Sequence, residues 1–244
     1  MAFLTCTFLS KILQKSVQFN AIVPRGKEKG ARVLYLLHGL SDDFAAWSRF
    51  TSIERYANEA GLVIIMPDAT KSFYSDMMHG ERYYSFFVNE FFDYASSLLG
   101  FSQKREDTFI AGNSMGGYGA LKIALRNSDK FSAVASLSGA VDICSRLKRD
   151  PRWREIQNLV FGEKNDPSGT KDDLFFLAKN YTSQNILRIY LSCGREDFLY
   201  QDNLTFANVL SHTELHYHFV TPNGIHDWNY WDSNIKEAIE YLIK

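Results

Sequence analysis

The sequence predicts an α/β fold with a mainly parallel central sheet and helices on both faces. Two observations carry that prediction. Short, continuous apolar runs such as Val33–Leu37, Leu62–Met66 and Ala133–Leu137 alternate with segments of helical periodicity, the pattern of strands buried on both faces between amphipathic helices. In addition, the residues with chemical potential fall just beyond the ends of those runs: Gly39 and Leu40, Asp68, Ser114, Asp197 and His226. In open parallel sheets, sites form at the carboxyl ends of the strands.

Taken in order, residues 2–9 and 16–24 read as two strands that start the sheet in antiparallel fashion. The N-terminus is apolar but has no basic leader region and no small-residue cleavage site, and its Thr, Phe and Cys content suits an edge strand. The charged, glycine-containing stretch 23–32 is a hairpin or loop. Val33–Leu37 is a buried strand ending at His38-Gly39-Leu40. Ser41–Ala46 form a loop, Trp47–Ala60 a helix closed by Gly61, and Leu62–Met66 the next strand, stopped by Pro67. A polar, aromatic loop from Ala69 to Tyr83 precedes a helix reaching Leu99. Thr108–Ala111 form a strand and Met115–Leu125 a helix. Strands follow at Ala133–Leu137, Arg188–Cys193 and Leu215–Val220, with a helix at Asp202–Leu210 and a terminal helix to Lys244.

Residues 140–185 break the alternation. They hold Trp153, Phe161, Phe175, Phe176 and Tyr181 but no clear strand. A long connection at the active end of a sheet reads as a cap inserted into a single domain spanning 1–244.

Composition bounds the function. The chain has 244 residues, 45% of them hydrophobic and 23% charged, with a net charge of −1. No basic field points to a nucleic-acid partner or an anionic membrane, and no stretch is long enough for a membrane span. Three cysteines, Cys6, Cys144 and Cys193, form neither a disulfide framework nor a C-x-x-C pattern and fit a reducing, cytoplasmic setting. The oligomeric state stays open, a homo-oligomer included.

The chemistry centres on Gly112-Asn113-Ser114-Met115-Gly116. A bare G-x-S-x-G arises by chance in roughly one chain in fifteen of this length, so the motif needs its context. Here it joins a strand to a helix, where a sharp, strained turn lifts the serine hydroxyl clear of the sheet. Its glycines suit a point where backbone crosses close to backbone. A serine hydroxyl is a weak nucleophile without a base. Of six histidines, His38 follows a strand and supports the adjacent turn, His79 sits in a polar loop, and His212, His216 and His218 lie at a helix end or on the last strand without a third ligand in register. We therefore expect no metal site. His226, in the loop after the last strand, is placed as the base. The acid that orients it is Asp197, after the penultimate strand. Spacing alone does not separate Asp197 from its neighbour Glu196, and Asp142 is a further alternative. The backbone N–H groups of Met115 and Leu40 are the candidates for an oxyanion hole. Trp47, Trp153, Phe198 and Trp228 are candidate substrate contacts, part of an aromatic crowd with Phe73 and Tyr74 that implies a compact pocket.

Leu36-Leu37-His38-Gly39-Leu40-Ser41, Gly112 through Ala120, Gly194-Arg195-Glu196-Asp197-Phe198-Leu199-Tyr200 and His226-Asp227-Trp228 together resemble the tributyrin-esterase branch of the esterase D family, within the α/β-hydrolases. That family includes S-formylglutathione hydrolases, feruloyl and acetyl-xylan esterases, and mycolyltransferases. The resemblance, which runs over nearly the whole chain, implies a Ser114–Asp197–His226 triad, Leu40 and Met115 as oxyanion donors, and hydrolysis of short-chain acyl esters without a cofactor. Ser41–Phe44 carries no thiol, which puts a glutathione-thioester hydrolase second. A feruloyl or acetyl-xylan esterase stands beside it as an alternative, and an acyltransferase or an inactive binding protein on the same fold comes after both.

Overall fold

The computed structural model describes residues 1–26 and 30–244. The middle of the expected 23–32 loop, residues 27–29, lies outside the described residues. The strands among the described residues are β1 (Ala2–Leu9), β2 (Ser16–Val23), β3 (Val33–Leu37), β4 (Val63–Pro67), β5 (Thr108–Asn113), β6 (Ala133–Leu137), β7 (Arg188–Ser192) and β8 (His216–Val220). They form one sheet in the order β1-β2-β4-β3-β5-β6-β7-β8. β1 pairs antiparallel with β2 and β2 with β4, and every other pairing is parallel. All residues of β3, β4, β5 and β6 are buried, as their unbroken apolar runs require. β1 and β8 are the edges and stay largely exposed.

Helices cover both faces. They are α1 (Ala46–Phe50), α2 (Ile53–Ala60), α3 (Tyr83–Phe86), α4 (Phe92–Leu99), α5 (Met115–Arg126), α6 (Ile143–Arg149), α7 (Arg154–Ile156), α8 (Leu174–Lys179), α9 (Tyr200–Leu210) and α10 (Trp228–Leu242). One core layer gathers Phe73, Tyr118 and the phenylalanines of 83–101 against one face of the sheet. The other packs Trp47, Tyr56, Trp231 and Ile235 against the opposite face.

Two predicted helices differ from expectation. Trp47–Ala60 is broken at Thr51, which is extended. Thr51 Oγ1 accepts the Ile53 N–H, and the Ser52 N–H donates to Asp232 Oδ1 of α10 at 2.8 Å. That last bond comes from a residue remote in sequence and satisfies an amide the broken helix leaves free. The run from Tyr83 to Leu99 is helical throughout, but Phe87–Phe91 is π-helical. With i→i+5 bonding, residues five apart share a face. Phe86 and Phe91 (5.5 Å between ring centroids) and Phe87 and Phe92 (6.1 Å) therefore enter the core together. Smaller shifts lengthen β5 to Asn113 and start α9 at Tyr200.

The segment between β6 and β7 contains α6, α7 and α8 and no strand. It is fastened to the loop after β4, whose Met78 and His79 amides donate to Val160 O (2.8 Å) and Leu159 O (3.0 Å).

Backbone passes close to backbone where β5 and α5 cross the end of β3. A Cβ on Gly112 would lie 2.5 Å from Gly116 backbone atoms, and one on Gly116 would lie 2.4 Å from Leu37 O. Both clashes are with backbone, which no rotamer change relieves. Gly112→Ala should therefore destabilise the protein by about 3 kcal/mol or more. Equilibrium urea unfolding measures this, and a variant of unchanged stability would contradict the close crossing.

Candidate active site

Ser114 sits between β5 and α5 with φ 51° and ψ −115°. For a residue with a Cβ, such a backbone costs on the order of 1–3 kcal/mol. It is held from both sides, since the Ser114 N–H donates to Leu137 O at 2.9 Å and Ser114 O accepts from Ala140 and Tyr118 amides. The turn aims the side chain out of the sheet. Ser114 Oγ lies 3.0 Å from His226 Nε2, and His226 Nδ1 lies 2.8 Å from Asp197 Oδ2. With a hydroxyl on one side and a carboxylate on the other, the network assigns the imidazole proton to Nδ1 and leaves Nε2 as acceptor for the Ser114 proton.

Each member is fixed by its local chain. Asp197 has a fully buried side chain. Its second oxygen accepts the Leu199 N–H at 2.8 Å, so both oxygens are matched. Glu196 points elsewhere, and its carboxylate accepts the Gly224 N–H at 2.6 Å. The Glu196 amide in turn donates to Gly224 O. Glu196 thus staples the loop after β7 to the loop that presents His226. Those loops touch so closely that a Cβ on Gly194 would stand 2.1 Å from Gly224 O. Asp142 is occupied at the start of α6, accepting the Ser145 N–H.

Opposite the serine, the turn after β3 is held by three side chains. His38 Nε2 accepts the Ala69 N–H at 2.9 Å while Nδ1 donates to Gly39 O at 2.8 Å. The Tyr74 hydroxyl donates to His38 O at 3.0 Å. The Trp47 indole N–H donates to Leu37 O at 3.0 Å. The Leu40 and Met115 amides find no acceptor among the described residues. Met115 opens α5, where unmatched N–H groups and the positive end of the helix dipole favour a nearby negative charge.

A cleft of about 440 Å³ opens over Ser114. Gly39, Leu40 and Asp42 line one end, and Phe73, Trp153, Phe198, Trp228 and Trp231 form its aromatic walls. Three of the four expected contacts, Trp153, Phe198 and Trp228, therefore reach it. Trp47 does not. It is 1% exposed and lies beneath the turn it bonds, with Trp228 standing edge-on at 5.1 Å above it. Tyr74 is likewise buried. Trp231 and Asp42 join the lining unforeseen. Trp231, one helical turn beyond Trp228 and so on the same face, stands edge-on to the His226 ring at 4.9 Å. Burial raises the Asp42 carboxyl above its ordinary range. The remaining histidines stay apart from the cleft lining, and no group of three or more metal-ligating side chains comes together among the described residues.

Comparisons with known proteins place the chain in a family. The profile of the family described as "Putative esterase" matches residues 10–242. The chain belongs to the esterase family. It is 32% identical to an acetyl esterase of Caldicellulosiruptor saccharolyticus, covering 100% of this chain and 99% of that one. Among solved structures it is similar to the fluorophosphonate-binding serine hydrolase FphF of Staphylococcus aureus, with 36% identity, TM-score 0.91, and 100% and 98% of the two chains covered. It is also similar to the S-formylglutathione hydrolase FrmB of Staphylococcus aureus, with 35% identity, TM-score 0.87, and 100% and 99% covered. The protein is thus a serine-hydrolase-type esterase with an α/β-hydrolase fold. No helix among the described residues is long and apolar enough to cross a membrane.

Trp47→Phe keeps most of the ring packing but leaves buried Leu37 O without its donor. It should cost about 1–3 kcal/mol of stability, read by chemical unfolding. A variant as stable as the parent would show that the indole N–H does not hold this turn.

Proposed function

We propose that this esterase hydrolyses short-chain acyl esters through an acyl-enzyme on Ser114, as a single α/β-hydrolase domain in which residues 140–185 form the cap. The observation that carries the reading is the unbroken chain from Ser114 Oγ through His226 to Asp197 Oδ2, with contacts of 3.0 and 2.8 Å. Ser114 Oγ attacks the ester carbonyl carbon as its proton passes to His226 Nε2. The carbonyl oxygen becomes an oxyanion and takes hydrogen bonds from the Leu40 and Met115 amides. Asp197 holds the imidazole in orientation and stabilises the imidazolium. His226 then gives the proton to the departing alcohol oxygen, which leaves the acyl group on Ser114. Water repeats the sequence, with His226 as base, and releases the acid and the free serine. No step calls for a metal or cofactor.

The preference for short acyl groups rests on the walls. Phe73 and Trp153 pack together at 5.5 Å on one side, and Phe198 stands against His226 at 4.7 Å, so large rings flank the nucleophile closely. The resemblance to the tributyrin-esterase branch supports the same class. The similarity to an acetyl esterase supports an acetyl ester as the smallest substrate. A second reading, a thioesterase acting on S-formylglutathione, gains support from the similarity to FrmB. The reducing, cytoplasmic setting remains part of the proposal.

Two measurements test this. Asp197→Asn should lower kcat by about 10³–10⁴, because an amide favours the wrong imidazole tautomer and does not stabilise the imidazolium. Glu196→Gln should be mild, since the new amide oxygen still accepts the Gly224 N–H. The reverse ranking would put the acid one residue earlier. In a kcat/KM survey over acyl length, run beside S-formylglutathione, rates should peak at short acyl esters. Rates still rising beyond octanoyl would contradict the compact pocket, and a large preference for the thioester would select the second reading.

A further inference from the structure

Lys122 is a buried cation that the proposed chemistry does not use. It lies on α5, about two turns beyond Ser114, and is 0% exposed. Its ammonium has three protons and three acceptors: Phe73 O at 3.1 Å, Ser75 Oγ, and Asp172 Oδ1 at 2.8 Å. The Tyr118 ring lies 4.8 Å away. These acceptors belong to two different segments. Phe73 and Ser75 lie on the loop after β4, and Asp172 lies on the cap. The Tyr118 hydroxyl, also on α5, donates to Asp172 O at 2.7 Å.

The effect of this pair on stability is divided: burial opposes the charged lysine, while Lys122 holds the Asp172 carboxyl below its ordinary range despite its burial. Burial pushes its pKa down from 10.5 to about 8, with Asp172 and Asp76 acting against that shift and Arg126 adding to it. The unfolded chain therefore holds the proton more tightly than the folded one. Burying the charge costs stability at neutral pH, and the cost is relieved only as pH rises from about 8 toward 10.5. A buried ion pair is often no more stabilising than apolar side chains of the same volume.

What the lysine touches points to a role beyond stability. Phe73 and Tyr74 both have left-handed backbones, with φ 51° and 52°, strain that persists only where the surroundings fix it. Lys122 grips the Phe73 carbonyl in the middle of that strained stretch. The Phe73 ring packs on Trp153 of the cap, and both line the cleft. Phe73 and Trp153 belong to the core layer on one face of the sheet, whereas Trp228 and Trp231 belong to the layer on the other. Trp231 stands against His226, which delivers the proton to the leaving alcohol. The Phe73–Trp153 wall thus lies across the cleft from the Trp228–Trp231 wall, and the proposal places the acyl chain against it.

We propose that Lys122 is a positioning residue that sets the acyl-length limit of the cleft, by fixing the Phe73 carbonyl and Asp172 so that the Phe73–Trp153 wall stays closed. The inference rests on the reading of Ser114 as the nucleophile of an acyl esterase. The test is Lys122→Met, assayed with acetyl and hexanoyl esters of one alcohol, with folding checked by circular dichroism and the nucleophile by fluorophosphonate labelling. The ratio of kcat/KM for hexanoyl over acetyl should rise by about tenfold, within what a few methylenes in an apolar pocket can discriminate, and the change should lie mainly in the hexanoyl KM. If Lys122→Met alone does not fold, the pair Lys122→Met/Asp172→Asn, which leaves no charge unpaired, reads the same ratio. An unchanged ratio in a folded, labelling-competent variant overturns the proposal and leaves the esterase reading intact. A parent protein that neither labels nor hydrolyses either ester overturns the reading beneath it.

Discussion

The site depends on one close approach, that of β5 and α5 to the end of β3. Only glycines at 112 and 116 let the strand and helix cross within reach of Leu37 O. That crossing forces Ser114 into its strained backbone and turns its hydroxyl out of the sheet. It also sets the Met115 amide beside the turn that carries the Leu40 amide. The strain is sustained because neighbouring strands are bonded to it: Leu137 O takes the Ser114 amide, and Ala140 returns a bond to Ser114 O. A rigid parallel sheet thus does what a loop could not, holding a serine in a costly conformation without letting it relax.

Around that point the supporting contacts fall into two groups. The first fixes the polar machinery. Trp47, Tyr74 and His38 hold the turn after β3, and Glu196 holds the loop of His226 against the loop of Asp197. The second fixes the walls through buried cations. Lys122 joins the Phe73 loop to the cap. Arg146 of α6, buried, pairs with Asp202 at 2.6 Å and donates to Phe198 O at 2.6 Å. The segment between β6 and β7 is therefore tied to both rims of the cleft, beside Phe73 on one side and beside Phe198 on the other.

Much of this was legible in the sequence because the governing signals are local. Unbroken apolar runs marked the buried strands, and the motif at Ser114 marked the turn. Chain order placed Asp197 and His226, which the fold brings together across 29 residues. What was hidden depends on contacts between distant residues. The break at Thr51 follows from Asp232 of α10. The π-helical segment follows from the need to bury two phenylalanine pairs on one face. Trp47 reads as a pocket residue because an aromatic ring near an active edge can lie in the cleft or under it, and only the position of Leu37 O decides. Glu196 and Asp197 are neighbours of one chemical type, told apart by direction: one meets a histidine, the other a glycine amide. Trp231 carried a usable signal, its helical spacing from Trp228, whereas Lys122 looked like any lysine on an amphipathic helix.

The central claim is that Ser114 carries the acyl group between the two halves of the reaction. Rapid quenching of the protein during turnover of an activated acetyl ester, followed by peptide mass mapping, tests it directly. The account predicts one acetyl group on the peptide holding Ser114, accumulating when deacylation is slow and disappearing as substrate is consumed. Turnover with no acyl adduct, or with the adduct on another residue, would contradict it.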